Sequence, residues 1–291
     1  MIDGDKIKKY LKRGYEQEFF EECIKNLSNK DSRIRLSNFA YSLRELVREV
    51  LADRAPDNRI KKCCWYAPHL DEKGKEVITR EQRMKYAIQG GLPDCIVKDN
   101  LRILVDETTK EVKKQIDRLS KYTHITKEVF YTDEDINTLA EEPLNTVETL
   151  FNTIAEAKSK FGEAVCDLIN QEIFDTFLYV TINEIDCLST HHHVRYFQLG
   201  SATVTDISDD GILFEATGRV YVHLQYGSDS DMRNDIGFEM DTDYPFEATL
   251  SAPIPQNLDD LTLSMDSFEV DTDEFYDLDS EGTGDRHLSQ A

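Results

Sequence analysis

The chain has 291 residues, 40% of them hydrophobic and 10% aromatic, and a formal net charge of −23. That length accommodates two ordinary domains, and the composition supports a packed core rather than a disordered chain. No apolar run reaches the length of a membrane-crossing helix, and so acidic a surface excludes nonspecific nucleic-acid binding over the protein as a whole.

The charge is unevenly placed. From residue 256 onward eleven carboxylates face a single basic residue, Arg286, so residues 256–291 read as an acidic, flexible tail. Basic residues outnumber acidic ones between Lys6 and Lys62, which puts any nucleic-acid contact in the N-terminal half. The N-terminus lacks the apolar segment of a secretory signal, and the expected location is the cytoplasm. Cys23, Cys63, Cys64, Cys95, Cys166 and Cys187 form no C-x-x-C pair and read as reduced thiols.

Residues 5–27 carry a helical apolar stripe through Ile7, Tyr10, Leu11, Phe19, Phe20, Cys23, Ile24 and Leu27. A turn leads into a second helix over residues 31–52, with Asp31 as its expected N-cap and Leu36, Phe39, Ala40, Leu43, Leu46, Val47, Val50 and Leu51 as its inner side. Its polar side holds Arg35, Asn38, Tyr41, Ser42, Glu45 and Arg48. Two readings stand: a solvated face laced with ion pairs such as Glu45 with Arg48, or a phosphate site built from a guanidinium, an amide and a phenol.

Pro56 ends this helix, and residues 60–68 are expected to run extended, with Trp65 buried over the helices or offered to a base for stacking. Thr79 and Gln82 have the spacing of a capping box. The helix they open presents Arg80, Arg83, Lys85 and Gln89 outward, a candidate nucleic-acid surface with Trp65, and stops at Gly90-Gly91 and Pro93. The glycine pair reads as a tight turn or as an anion nest. A long helix follows over residues 94–121. Asp94, Glu111 and Lys113 match the spacing of a metal-dependent nuclease motif, but Glu111 and Lys113 lie two apart within a helical period and face different ways. The match is read as coincidence, with no metal site and no cofactor expected.

Two more helices are expected, one opening at Pro143 and one over residues 163–180. Near residue 190 the period drops to two, and short β-rich runs separated by Asp-Asp-Gly and Gly-Ser-Asp-Ser turns continue to about Pro253. The expected class is α+β: a helical domain over residues 1–189, an antiparallel β domain over 190–255, and the tail. His191-His192-His193 lies at the junction. In extended backbone His191 and His193 share a face, as ligands with Glu184 or Asp186, as a solvated junction, or as an acid–base pair.

The run RIRLSNFAYSLRELVREVLADRAPDNRIKKCCWY, with GKEVITREQRMKYAIQGGL after it, resembles the bacterial proteins known as predicted Piwi-associated nucleases. These are similar to the HEPN class of helical ribonucleases, common among anti-phage effectors. The resemblance implies an HEPN-like helical bundle, cleavage of RNA without a metal, a homodimer, and a protein partner from the same defence system, with no membrane involved. It also implies a catalytic Arg on a helix separated by four to six residues from a His. Arg35 matches, but Tyr41 stands where the His belongs, and a phenol is a weaker base at neutral pH. Under this resemblance Arg35 binds phosphate, Asn38 orients it, and Tyr41, His191 or His193 handles the proton. The alternative is a helical domain without catalysis, a regulatory subunit that engages a partner through its β domain and tail.

Overall fold

The computed structural model describes residues 5–123, 131–179 and 182–276. The chain divides into two compact units. The first comprises Met1–Phe161, Ile207–Gly211 and Ile254–Leu261; the second comprises Gly162–Asp206, Ile212–Pro253 and Thr262–Ala291. The fold is α+β, with a helical N-terminal region followed by a four-stranded antiparallel sheet.

In the first unit, α1 (Asp5–Lys8) and α2 (Tyr15–Ser28) replace the single helix expected over residues 5–27. The break is Gly14, whose φ of +85° suits only glycine and whose surroundings are open. Glu16, at the start of α2, accepts from the Lys12 backbone N–H at 2.8 Å and meets Arg54 at 3.4 Å, which fastens the new helix start. α3 (Arg35–Arg54) packs against α2, and all eight of its expected inner residues are buried. It starts four residues later than expected, and Asp31 does not cap it; Ile34 holds the cap position without a side-chain hydrogen bond.

The short α4 (Asp57–Ile60) and the two-residue strands β1 (His69–Leu70) and β2 (Glu76–Val77) lead to α5 (Arg80–Gln89). Its capping box forms as expected, Thr79 and Gln82 satisfying each other's backbone N–H groups. The helix expected over residues 94–121 is interrupted. A π-helical turn, Ile96–Asn100, comes first, Arg102 takes a left-handed φ of +55°, and α6 (Val105–Tyr122) begins only then. α6 packs on α3 and α5 through Val105, Thr109, Val112, Ile116 and Leu119.

α7 (Asp133–Tyr179) replaces the two helices expected around Pro143 and residues 163–180. Pro143 lies inside it. The true start is a capping box upstream: the Thr132 hydroxyl accepts from Asp135 N at 3.2 Å, and the Asp135 carboxylate accepts from Thr132 N at 3.2 Å. Buried Ile136 and Ala140 hold the turns before the proline. α7 belongs to the first unit up to Phe161 and to the second from Gly162. In the first unit Arg54 stacks over Phe151, 5.2 Å from the ring centre, and the Tyr10 hydroxyl donates to Asn152 at 2.9 Å.

The second unit holds α8 (Asn183–Asp186) and strands β3 (His191–Ile207), β4 (Ile212–Tyr226), β5 (Phe238–Ala252) and β6 (Ser264–Val270), with α9 (Asp229–Arg233) between β4 and β5. The sheet order is β3-β4-β5-β6. Runs expected as separate short strands fuse: GILFEATG and GRVYVHLQYG form one strand through Gly218, and IGFEM joins FEATLSA. Gly218 pairs with Phe246, whose ring covers it; a Cβ there would fall 2.6 Å from that ring. On the inward face Phe177 of α7 meets Phe197, Phe246 and Phe268 at ring separations of 5.1, 6.0 and 5.0 Å.

Residues 264–270, in the stretch expected as a flexible tail, are thus the fourth strand, anchored because Phe268 stacks on Phe246 at 5.2 Å. Residues 277–291 of that stretch, Arg286 among them, lie outside the described residues. The β4 side of the sheet also gives up Ile207–Gly211 to the first unit, where Gly91 N donates to Ser208 O at 2.9 Å.

Candidate functional site

Arg35 opens α3 and is buried, its guanidinium hydrogen-bonded to Asp133, which also lies 3.7 Å from Lys30. Asn38 is half-buried, and its backbone carbonyl accepts from the Ser42 hydroxyl at 2.7 Å. Tyr41 is exposed, with Arg44 at 5.6 Å from its ring centre. Six residues at about 100° each carry Tyr41 well round the helix from Arg35. The rest of the polar side is a chain of ion pairs: Glu45 meets Arg44 at 3.1 Å and Arg48 at 2.8 Å, and hydrogen bonding to Arg48 holds the Glu45 carboxyl below its usual pKa.

The Arg35 pair is lopsided, and this gives a test. The Arg35 side chain is 6% exposed and that of Asp133 is 64% exposed. Removing the carboxylate strands a buried cation; removing the guanidinium leaves an anion that water solvates. Asp133→Ala is therefore expected to cost about 1–3 kcal/mol, and Arg35→Met less, once the exposure of Asp133 is allowed for. Urea midpoints of the two variants check the order; the reverse order would mean that Asp133 does not neutralise Arg35.

The three residues expected at a nucleic-acid surface each have an intramolecular role. Arg80 reaches Asp117 at 3.4 Å, and Arg83 donates to the Ala55 carbonyl at 2.6 Å and pairs with Asp57 at 2.5 Å. The Trp65 indole N–H donates to the Gly90 carbonyl at 2.9 Å, and the Lys85 ammonium sits 4.9 Å from its ring centre. Trp65 packs with Tyr66 and Ile78 on a small core of Ala55, Ile60, Cys63 and Tyr86. Burial pushes the Cys63 thiol up to about 12. All six cysteines are free thiols.

The coincidental nuclease spacing is not brought together by these contacts. Asp94 pairs with Lys85 at 2.7 Å, Glu111 with Lys114 at 3.2 Å, and Lys113 with Glu81. Among the described residues no three His, Cys, Asp or Glu side chains are placed to share a metal ion.

The outward face of the sheet gathers the most chemistry. β4 and β5 pair in a register that sets His223 opposite Asp241 and Tyr221 opposite Asp243. The His223 and His193 rings lie 4.9 Å apart, tilted by 41°. His223 Nδ1 is 2.7 Å from Asp241 Oδ1, and Arg195 Nη2 reaches the same carboxylate oxygen at 2.9 Å. His223 Nδ1 also lies 3.2 Å from Arg195 Nη2, so it sits between a donor and an acceptor, and Glu239 Oε2 lies 3.9 Å from Nε2. Beside this cluster Tyr196 and Tyr221 stack at 4.3 Å and 15°. Of the junction histidines, His193 thus joins a site, His192 lies 3.7 Å from Asp186, and the carbonyl of His191 accepts from Ser189 at 2.8 Å. Arg195, His223 and Asp241 were not candidates in the sequence, because only strand register brings them together.

A helical unit and an antiparallel sheet define an α+β protein whose sheet carries, on its outward face, two neighbouring imidazoles, one of them in contact with a carboxylate and a guanidinium. Two family models match the chain, over residues 8–147 and 154–276, and both are described as predicted pPIWI-associating nuclease. The chain belongs to the predicted pPIWI-associating nuclease family. Searches of curated proteins and of solved structures found no match. Among the described residues no helix is long and apolar enough to cross a membrane.

Proposed function

We propose that this chain is a metal-independent endoribonuclease acting as the effector of a bacterial anti-phage system, with His193 and His223 as its acid–base pair. The observation that carries the reading is the tilted imidazole pair at 4.9 Å, one member of which is oriented by Asp241. One neutral imidazole takes the proton from a ribose 2′-hydroxyl as that oxygen attacks the adjacent phosphorus. The P–O2′ bond forms, the P–O5′ bond breaks, and the second imidazole, protonated, gives its proton to the departing 5′ oxygen. Arg195 turns from Asp241 to the non-bridging oxygens, where negative charge accumulates. The chemistry needs a 2′-hydroxyl, so the substrate is RNA.

The experiment is a labelled RNA and its all-deoxy counterpart incubated with protein in excess EDTA. RNA cut to a cyclic phosphate end while the DNA survives is the expected result; cutting that disappears with EDTA would remove the reading.

One observation favours a second reading for the helical unit. Arg35 is tied to Asp133 and Tyr41 occupies the place of an imidazole, which suits a domain that binds rather than cuts. Under it this unit engages a Piwi-like partner, as the family's description suggests.

A further inference from the structure

The sheet face has a shortage that the rest of the protein must make good. Its two arginines are each held by an aspartate, Arg195 by Asp241 and Arg219 by Asp243, and the chain carries a net charge of −23. A nuclease of that composition repels its substrate unless a cationic surface elsewhere supplies affinity.

α6 supplies one. Its buried stripe leaves an opposite stripe on which Lys110, Lys113, Lys114, Arg118 and Lys121 recur at helical spacing. These five cations line an open groove of about 610 Å³, in which Asp117 is the one carboxylate. Asp117 is itself met by Arg80 at 3.4 Å. Lys110 and Lys121, at the two ends, pair with no carboxylate among the described residues. Lys113, Lys114 and Arg118 hold Glu81, Glu111 and Glu142 in partly exposed pairs, which contribute little and exchange readily. Lys110 also lines a neighbouring cleft of about 400 Å³, where Lys85, Lys98 and Lys110 are matched by Asp94, Asp106 and Glu107, so the cationic run ends at Lys110. From Lys110 to Lys121 the stripe runs roughly 16 Å at 1.5 Å per residue. Tyr122 closes the groove, its hydroxyl 3.4 Å from Arg118 Nε, with an aromatic ring at the end of the cationic run.

We infer that this groove of α6 binds the phosphate backbone of single-stranded nucleic acid. The inference takes its ligand class from the proposed nuclease function but concerns grip, not cleavage, and it assigns no role to His193 or His223. Contacts to phosphate alone carry no sugar or sequence preference, so RNA and DNA strands are held alike here, and selectivity for RNA belongs to the cleavage chemistry.

The test uses the full chain and a fluorescent 20-nucleotide 2′-O-methyl strand, which binds but lacks a free 2′-hydroxyl, followed by anisotropy from low to moderate salt. Lys110→Gln/Lys114→Gln/Lys121→Gln is compared with Lys25→Gln/Lys30→Gln/Lys73→Gln, three exposed lysines elsewhere that remove the same charge. All six positions are exposed, and thermal melting of both variants confirms that they fold. The groove variant is expected to bind at least tenfold more weakly at low salt, with the slope of log K against log salt flatter by about 2, while the control stays near wild type. Undetectable binding by the wild type, an unchanged groove variant, or equal losses in both variants would overturn the inference. So would an acidic peptide of equal charge displacing the strand at equal concentration, since the groove would then be a site for acidic protein. Binding without cleavage of ordinary RNA leaves the groove standing and removes the nuclease reading; cleavage with groove-independent binding does the opposite.

Discussion

His223→Ala is expected to slow cleavage of RNA by about 10²–10⁴-fold while leaving the urea midpoint near that of the wild type. Both halves follow from where the ring sits. His223 is on the outward face of β4, flanked along the strand by buried Val222 and Leu224 that point the other way, so its removal opens no cavity in the core. Its loss takes away one imidazole of the pair and leaves Asp241 and Arg195 paired with each other at 2.9 Å, so no charge is stranded. His193→Ala is expected to do comparable damage, and the double variant little more than the worse single, because two groups serving one proton relay act as a unit. Asp241→Asn separates positioning from chemistry. It keeps a hydrogen-bonding neighbour for the ring but removes the charge beside it, and it should shift the pH–rate profile rather than abolish the rate. The wild-type profile of kcat/KM should be bell-shaped, with each single histidine variant losing one limb. Variants that cut at wild-type rates, or that lose rate only by unfolding, would take the active site away from this face.

How much of this was legible in the sequence depends on the distance over which each feature is decided. The inner side of α3 was legible residue by residue, because one period fixes it locally. The Thr79–Gln82 cap was legible for the same reason. The change of period near residue 190 announced the sheet, yet not that Gly218 sits mid-strand under the Phe246 ring, since a glycine in a β run reads as a turn until its partner is known. Pro143 read as a helix start although Thr132 and Asp135 already spelled the real cap; the proline is the stronger local signal and it misled. The break at Arg102 had no glycine to mark it. The site suffered most. His193 was legible as a candidate, but the register that brings Arg195, His223 and Asp241 to it is a property of three strands. Likewise the partner of Arg35 lies 98 residues away, and the helical period of α3 does not contain it.

The same contrast between local and long-range control predicts the largest loss of stability, at Gly90. Gly90→Ala is expected to destabilise the protein by about 2–5 kcal/mol. Gly90 ends α5 at φ +55° and ψ −132°, a backbone conformation that L side chains rarely adopt. A Cβ there would also fall 2.1 Å from the Ile207 carbonyl oxygen and 2.7 Å from its carbon, backbone atoms that no rotamer moves aside. Gly91 is pressed in the same way, 2.7 Å from Ser208 O. The glycine pair is thus the point at which the segment Ile207–Gly211 crosses the end of α5, and neither a tight turn nor an anion nest describes it fully. Gly74→Ala is the control. Its φ is +75° and nothing lies within 4 Å of a Cβ there, so it should cost only about 1–2 kcal/mol, and the difference between the two midpoints measures the crossing together with the stricter backbone conformation of Gly90. Equal losses would mean that the two segments do not touch so closely. Asp209, in that crossing segment, completes the argument. Its side chain is wholly buried, accepts from the Tyr86 hydroxyl at 3.1 Å, and has Lys62 at 3.0 Å and Arg59 at 3.6 Å. Arg59 and Lys62 are 44% and 62% exposed and turn to water once the carboxylate is gone, so Asp209→Ala should cost less than Gly90→Ala.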